Sequence, residues 1–245
     1  MKQLFFAFFI LIATQTYAVR PFITDDAAVV GRRLAQLETW TLFERGSGEH
    51  WMMLAYGFTP RLEVAIGTLW GYAENPFSKR NELSLAAPLI EAKYLLREYK
   101  SGEFGGVALS AGSFLPTGTG EFVAPAWGAY GILMYTHCFG ENEDVLIHGN
   151  IGVNWLRENK ANDFLPIWGI GTQIRAYRGL HLVAELIAGD PYVPGTGTAY
   201  HVGFRHFISD YIQVDASVGQ GIAGENKVPL WFGFGARFVM TRFAR

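Results

Sequence analysis

Late in the chain, histidine, carboxylate and arginine side chains recur at alternate positions. Period-two spacing puts such residues on one side of an extended strand. His181 and Glu185 share one parity over 180–188, and His201 and Arg205 share it over 198–207. Asp215 and Arg237 take the matching positions of the last two apolar-alternating stretches. Glu63, Glu91, Lys93 and Arg175 do the same earlier. A histidine beside a carboxylate can bind a metal ion or relay a proton. Buried charges of both signs on adjoining strands can instead neutralise one another, because an unpaired one is costly. The second reading fits better: Arg175, Glu185, His201, Arg205, Asp215 and Arg237 are expected to pair in a lining network. No metal and no cofactor are expected.

Two other patterns suggest chemistry and fail on context. Gly219-Gln220-Gly221-Ile222-Ala223-Gly224 matches the dinucleotide-binding fingerprint letter for letter. That motif works only where a strand turns into a helix. Here Lys227-Val228-Pro229 and another strand pattern follow, so it reads as a strand running into a loop. A Ser–His–Asn lipase site on a barrel wall would need Ser and His at one height. Ser110, Ser113 and Ser217 have no such histidine, so no catalytic residue is assigned and an enzyme is not expected. Cys138 is the only cysteine, which rules out an internal disulfide. It reads as a small residue near a turn.

The elements that must carry these residues are strands. Leu230, Phe232, Phe234, Ala236, Phe238 and Met240 form one face of an extended stretch, with Trp231, Gly233, Gly235, Arg237 and Val239 on the other. A soluble sandwich would expose a well-solvated polar face. An apolar face opposite small and charged residues is the pattern of a transmembrane β-barrel. The same opposition recurs: Ile212, Val214, Ala216 and Val218 against Gln213, Asp215 and Ser217, and Leu182, Ala184 and Leu186 against His181 and Glu185. Twelve strands are expected near 35–44, 51–58, 62–72, 84–97, 104–114, 127–138, 144–157, 164–177, 180–188, 198–207, 211–221 and 229–241. The facing of the second and sixth is left open, and Pro88 suggests an edge or bulge in the fourth.

Composition agrees. Aromatic residues make up 15% and charged residues 17%, with 29 Gly and a net charge of −2. The charged share is below the roughly 25% of ordinary soluble domains, and the balance gives no basic footprint for nucleic acid. Residues 1–18 have the form of a secretory signal: Lys2, an apolar run from Leu4 to Ala13, then Thr16-Tyr17-Ala18. Residues 19–33 lack alternation and are expected to be a periplasmic lead-in tucked at the barrel mouth. The barrel is expected to occupy 34–245. Tight turns at 59–61, 178–179 and 208–210 alternate with longer segments at 73–83, 115–126, 158–163, 189–197 and 222–228, as short periplasmic turns alternate with external loops. Both termini then lie on the periplasmic side. Trp51, Trp70, Trp127, Trp155, Trp168 and Trp231 fall toward the outer ends of strands and Trp40 does not, while Phe58, Tyr94, Tyr177, Phe207, Tyr211 and Phe238 fall toward the other ends. These two levels match interfacial girdles.

The mature start, Arg20-Pro21-Phe22-Ile23-Thr24-Asp25-Asp26-Ala27 followed by Gln36-Leu37-Glu38-Thr39-Trp40, resembles a family of outer-membrane proteins. Its members are labelled components of the phenol meta-degradation pathway, or simply transporters. Tyr56-Gly57-Phe58-Thr59-Pro60-Arg61-Leu62-Glu63 is similar to that family's second hairpin, and Glu91-Ala92-Lys93-Tyr94 to its fourth strand. The resemblance implies an outer-membrane barrel linked to passage of small apolar or aromatic compounds, and carries over no catalytic residue. Together with the pattern it leads us to expect an all-β, up-and-down barrel in the outer membrane of a Gram-negative-type envelope. Its partners would be membrane lipid and a small-molecule solute, and its role that of a porin-like channel. Glu63, Glu91, Lys93, Arg175, His181, Glu185, His201, Arg205, Asp215 and Arg237 are its candidate lumen lining. The rival readings are a plugged barrel with a structural or surface-binding role and, further off, an outer-membrane lipase.

Overall fold

The computed structural model describes residues 22–74, 81–124, 126–140, 143–158, 161–224 and 227–240. The expected signal peptide lies outside them. The strands, in chain order, are β1 (Ala35–Glu44), β2 (Ser47–Gly57), β3 (Leu62–Glu74), β4 (Asn81–Arg97), β5 (Gly106–Phe114), β6 (Gly118–Thr119), β7 (Trp127–Phe139), β8 (Val145–Glu158), β9 (Ala161–Tyr177), β10 (Leu180–Ala188), β11 (Thr198–Ser209), β12 (Ile212–Ala223) and β13 (Trp231–Met240). No helix occurs among the described residues.

All strands except β6 join one antiparallel wall, each paired with its neighbours in the sheet order. β3 pairs with β4 as well as β2, and β1 pairs with β13 from Ala35↔Met240 to Glu44↔Trp231. The wall therefore closes into a barrel of twelve strands, with the two-residue β6 lying against β4 inside a long connection. Closure removes the unpaired edges that an open sheet must otherwise protect. β1 begins and β13 ends at one rim, the near end.

The outer wall is apolar and bare. Phe232 is 50% exposed, Phe234 56%, Ile151 65% and Leu182 53%. Contiguous exposure on that scale marks a surface meant for lipid or a partner. Arg205, Arg237, His148 and Gln213, by contrast, are fully buried on the inner face. The two open facings are also settled: Trp51, Met53 and Ala55 of β2 and Tyr130, Ile132 and Met134 of β7 are buried inside, while Met52, Leu54 and Leu133 are exposed. The alternation there had faded because both faces are apolar.

Several strand limits differ from expectation. β2 begins at Ser47 rather than 51, because Arg45 and Gly46, with Gly46 at φ +89, make a two-residue hairpin turn. Trp40 consequently pairs directly with Trp51 and shares its level. The expected loop 158–163 is mostly strand, since β8 and β9 stay in register to Glu158↔Ala161. Beyond the apolar band neither face needs to be greasy, so Asn162 and Asp163 extend the strand without the alternating signature. Near Pro88 the β3–β4 ladder does shift register, between Gly67↔Leu89 and Leu69↔Ala86. The dinucleotide-like run is the end of β12 and the start of its loop.

Candidate functional site

Residues 22–30 run through the barrel interior, and Arg32 and Arg33 emerge exposed at its rim. Phe22, Thr24, Asp26, Ala27, Ala28, Val29 and Val30 are all buried. Inside a closed wall this segment has no strand partner along most of its length, so lumen side chains satisfy its backbone. Glu185 accepts from Ile23 N at 3.0 Å through Oε1 and from Thr24 N at 2.8 Å through Oε2. The Thr136 hydroxyl accepts from Ala27 N at 2.9 Å, and Glu63 Oε2 accepts from Val30 N at 2.6 Å. Lys93 Nζ meets Asp25 Oδ2 at 2.8 Å and Asp26 Oδ1 at 3.5 Å. The Phe22 ring lies under the Arg205 guanidinium, 5.4 Å away. Where the segment enters β1, Arg33 N donates to Gly57 O at 2.7 Å, and Gly57 N donates to Leu34 O at 3.0 Å. The approach is so close that a Cβ on Gly57 would sit 1.7 Å from Gly31 O, which only glycine avoids.

The ten candidate lining residues divide by what they touch. Glu63, Lys93 and Glu185 hold the threaded segment, and Arg205 stacks on it. His201 Nδ1 lies 2.8 Å from Glu185 Oε1 and fixes that carboxylate from the far side. Arg205 donates to Gln173 Oε1 at 2.5 Å, and Gln173 also meets His181 Nδ1 at 3.0 Å. Asp215 accepts from Gln213 at 3.4 Å and is the register partner of Arg205. Arg237 is buried beside Phe207, which points inward. Glu91 is buried but binds phenols rather than cations, as described below. Arg175 lies partly exposed toward the near end, 3.9 Å from Asp144 and in register with His181. Among the described residues no group of three or more His, Cys, Asp or Glu could hold a metal ion.

The opposite, far half of the lumen has a different character, which the charged residues did not reveal. Trp40 and Trp51 stack at 5.5 Å, 8° from parallel. Tyr192 lies 5.7 Å from Trp51 and 5.8 Å from Tyr130, centroid to centroid. Tyr192 belongs to the connection 189–197, which folds into the barrel: Asn154 Nδ2 donates to Asp190 O at 2.8 Å, and Gly189 N donates to Thr196 O at 3.0 Å. Two cavities flank this connection. One of about 160 Å³ is walled by Trp40, Leu42, Ile187, Ala199 and Trp231. The other, about 240 Å³, is walled by Trp51, Leu69, Leu89, Phe114 and Phe122. A smaller, polar space of about 50 Å³ beside the threaded segment reaches Asp25, Glu63, Glu91, Lys93 and Tyr192. The only sequence clue to the segment's role was Asp25-Asp26, a carboxylate pair in a stretch with no alternation of its own.

A closed twelve-stranded wall, greasy outside and partly charged within, defines an outer-membrane β-barrel of the porin-like channel fold. The family model described as "Putative MetA-pathway of phenol degradation" matches residues 18–238, and the chain belongs to that family. Among solved structures, an outer membrane channel from Pseudomonas putida F1 superposes with a TM-score of 0.68 at 13% identity, covering 88% of this chain and 98% of that one. The KdgM porin gives 0.58 at 9% identity, covering 83% of this chain and 98% of its own. The NanC porin gives 0.52 at 8% identity with the same coverage. At these identities the likeness concerns the fold. No curated protein matches the sequence.

Proposed function

We propose that the protein is an outer-membrane channel for small apolar or aromatic solutes, closed at rest by its own residues 22–30. The observation that carries this reading is the pair of mainly apolar cavities in the far half, stacked above a lumen that the threaded segment blocks. A hydrophilic pore would offer water a charged path throughout, whereas here the charged rim of Glu44, Arg45, Glu74 and Glu121 gives way to walls of Trp51, Leu69, Leu89 and Phe114. The family description supplies the aromatic class, and the superposed channels and porins supply the barrel. Lys93, Glu63 and Glu185 act as the grips on the segment. Export rests on residues 1–18, and sequencing of the mature N-terminus should begin at Val19.

The test is uptake into liposomes by purified protein, comparing toluene with glycerol, a hydrophilic solute of nearly the same mass. Toluene should enter faster than through protein-free vesicles and glycerol should not. The buried hydrogen bonds that hold the segment favour one rival, a permanently plugged barrel. The variant Lys93→Met separates the two, since it removes the 2.8 Å ion pair that holds Asp25 and should raise uptake. If parent and variant both pass nothing, the barrel is a closed one.

A further inference from the structure

We infer that the cluster of Glu91, Tyr130 and Trp51 is a binding subsite for phenols, and that Tyr192 occupies it as a built-in stand-in for the ligand. The inference rests on the channel reading for its purpose, and on the geometry below for its chemistry.

Tyr192 does not belong to the barrel wall. It stands on the 189–197 connection, yet its hydroxyl donates to Glu91 Oε2 at 3.1 Å, on a strand 101 residues away. The hydroxyl of Tyr130, from the wall, donates to the same oxygen. Glu91 is buried, and its recorded partners are two phenol hydroxyls rather than a cation. A carboxylate is a strong acceptor for an O–H donor, and such bonds are about twice as strong as neutral ones. The ring of Tyr192 meets Trp51 on one side and Tyr130 on the other. This is the recognition of a para-substituted phenol: one hydroxyl on a carboxylate, one ring among aromatic neighbours.

The occupant is placed to leave. Tyr192 borders the 240 Å³ cavity, which has room to receive its ring. The connection is anchored by Gly189 to Thr196, by Asn154 to Asp190 and by Tyr192 N to Asp190 Oδ1 at 2.7 Å, so the side chain turns while its backbone stays. Gly189 at φ +78 and Gly195 at φ +85 bracket the connection's tip. A solute phenol entering from the far end would take over the Glu91 bond and displace Tyr192 into the cavity. A ring without the hydroxyl passes through the same cavity but gains no bond to Glu91, so it is held less tightly.

The experiment uses the full mature protein in lipid nanodiscs. Binding of 4-methylphenol, the tyrosine side chain as a free molecule, and of toluene, its isostere without the hydroxyl, is measured by equilibrium dialysis against empty nanodiscs. Tyr192→Ala should bind 4-methylphenol roughly tenfold more tightly than the parent, because the internal competitor is gone. It should also prefer 4-methylphenol over toluene by about tenfold, the worth of one hydrogen bond to a charged group. Tyr192→Phe keeps the ring and drops only its hydroxyl, and should show a smaller gain. Equal binding of the two probes by Tyr192→Ala, or no gain in either variant, overturns the subsite. Toluene uptake by the parent without that gain leaves the channel and removes the subsite. The gain without any uptake keeps the subsite and removes the channel.

Discussion

Phe234 lies bare on the outer wall, beside Thr41 on one strand and Ala216 on the other. Replacing it with Arg puts a charge on the lipid face near mid-depth, which costs ~2–4 kcal/mol. Unfolding in lipid should therefore occur at clearly lower denaturant than for the parent, and equal midpoints would contradict the facing. Single residues like this one were readable from the sequence, because lipid outside and charge inside impose opposite chemistry on successive positions. Trp51, Met53, Tyr130 and Ile132 were not. They line an inner surface as apolar as the outer one, so parity lost its contrast at the very place where the far cavities form. Tyr192 was hidden for another reason: nothing in a loop sequence says that its tip folds back onto a carboxylate from β4.

Among the elements, the threaded segment depends most on a few side chains. Glu185 accepts two of its backbone N–H groups, and hydrogen bonds to a charged group contribute about 1.5–3 kcal/mol each. Glu185→Ala should loosen residues 22–24 and leave the twelve-stranded wall intact. Planar-bilayer recordings should show ionic conductance raised about tenfold, an open fraction increased by roughly 1.4 kcal/mol. Protease added at the near end should also cut the segment in the variant before the parent. Conductance unchanged from the parent would mean that this carboxylate does not govern closure. The lead-in was recognisable as non-strand, but its path was not, because partners spread over β3, β4, β7 and β10 leave no local pattern. Strand existence was legible for the twelve wall strands but not for the two-residue β6, which lies inside the expected loop 115–126. Strand length failed where β2, β8 and β9 project past the apolar band and alternation has no physical cause.

For the whole molecule, the decisive pairing is β1 with β13. Thr39 faces Ala236 in that ladder. Cysteines at both positions lie on the same outer face, within the roughly 4.5–5.5 Å Cα spacing of paired strands, and should crosslink within one chain under mild oxidation. Moving the second cysteine to Arg237 turns it to the opposite face and should abolish the crosslink. Native Cys138 is buried against Ala28, Tyr99 and Leu146 and stays out of the reaction. An even number of wall strands, with the start of β1 and the end of β13 at one rim, was apparent from turn lengths, whereas closure itself is a long-range fact that no window of sequence contains.

That seam also dictates an order of assembly. The first and last strands meet only when synthesis is complete, so the wall must zip shut late and slowly, as pairings distant in sequence do. Glu63 and Lys93 stand on β3 and β4, which are made long before β13, so Val30 and Asp25 are already gripped while the last hairpin arrives. A chain without these early grips would close into a barrel of normal outline and no stopper.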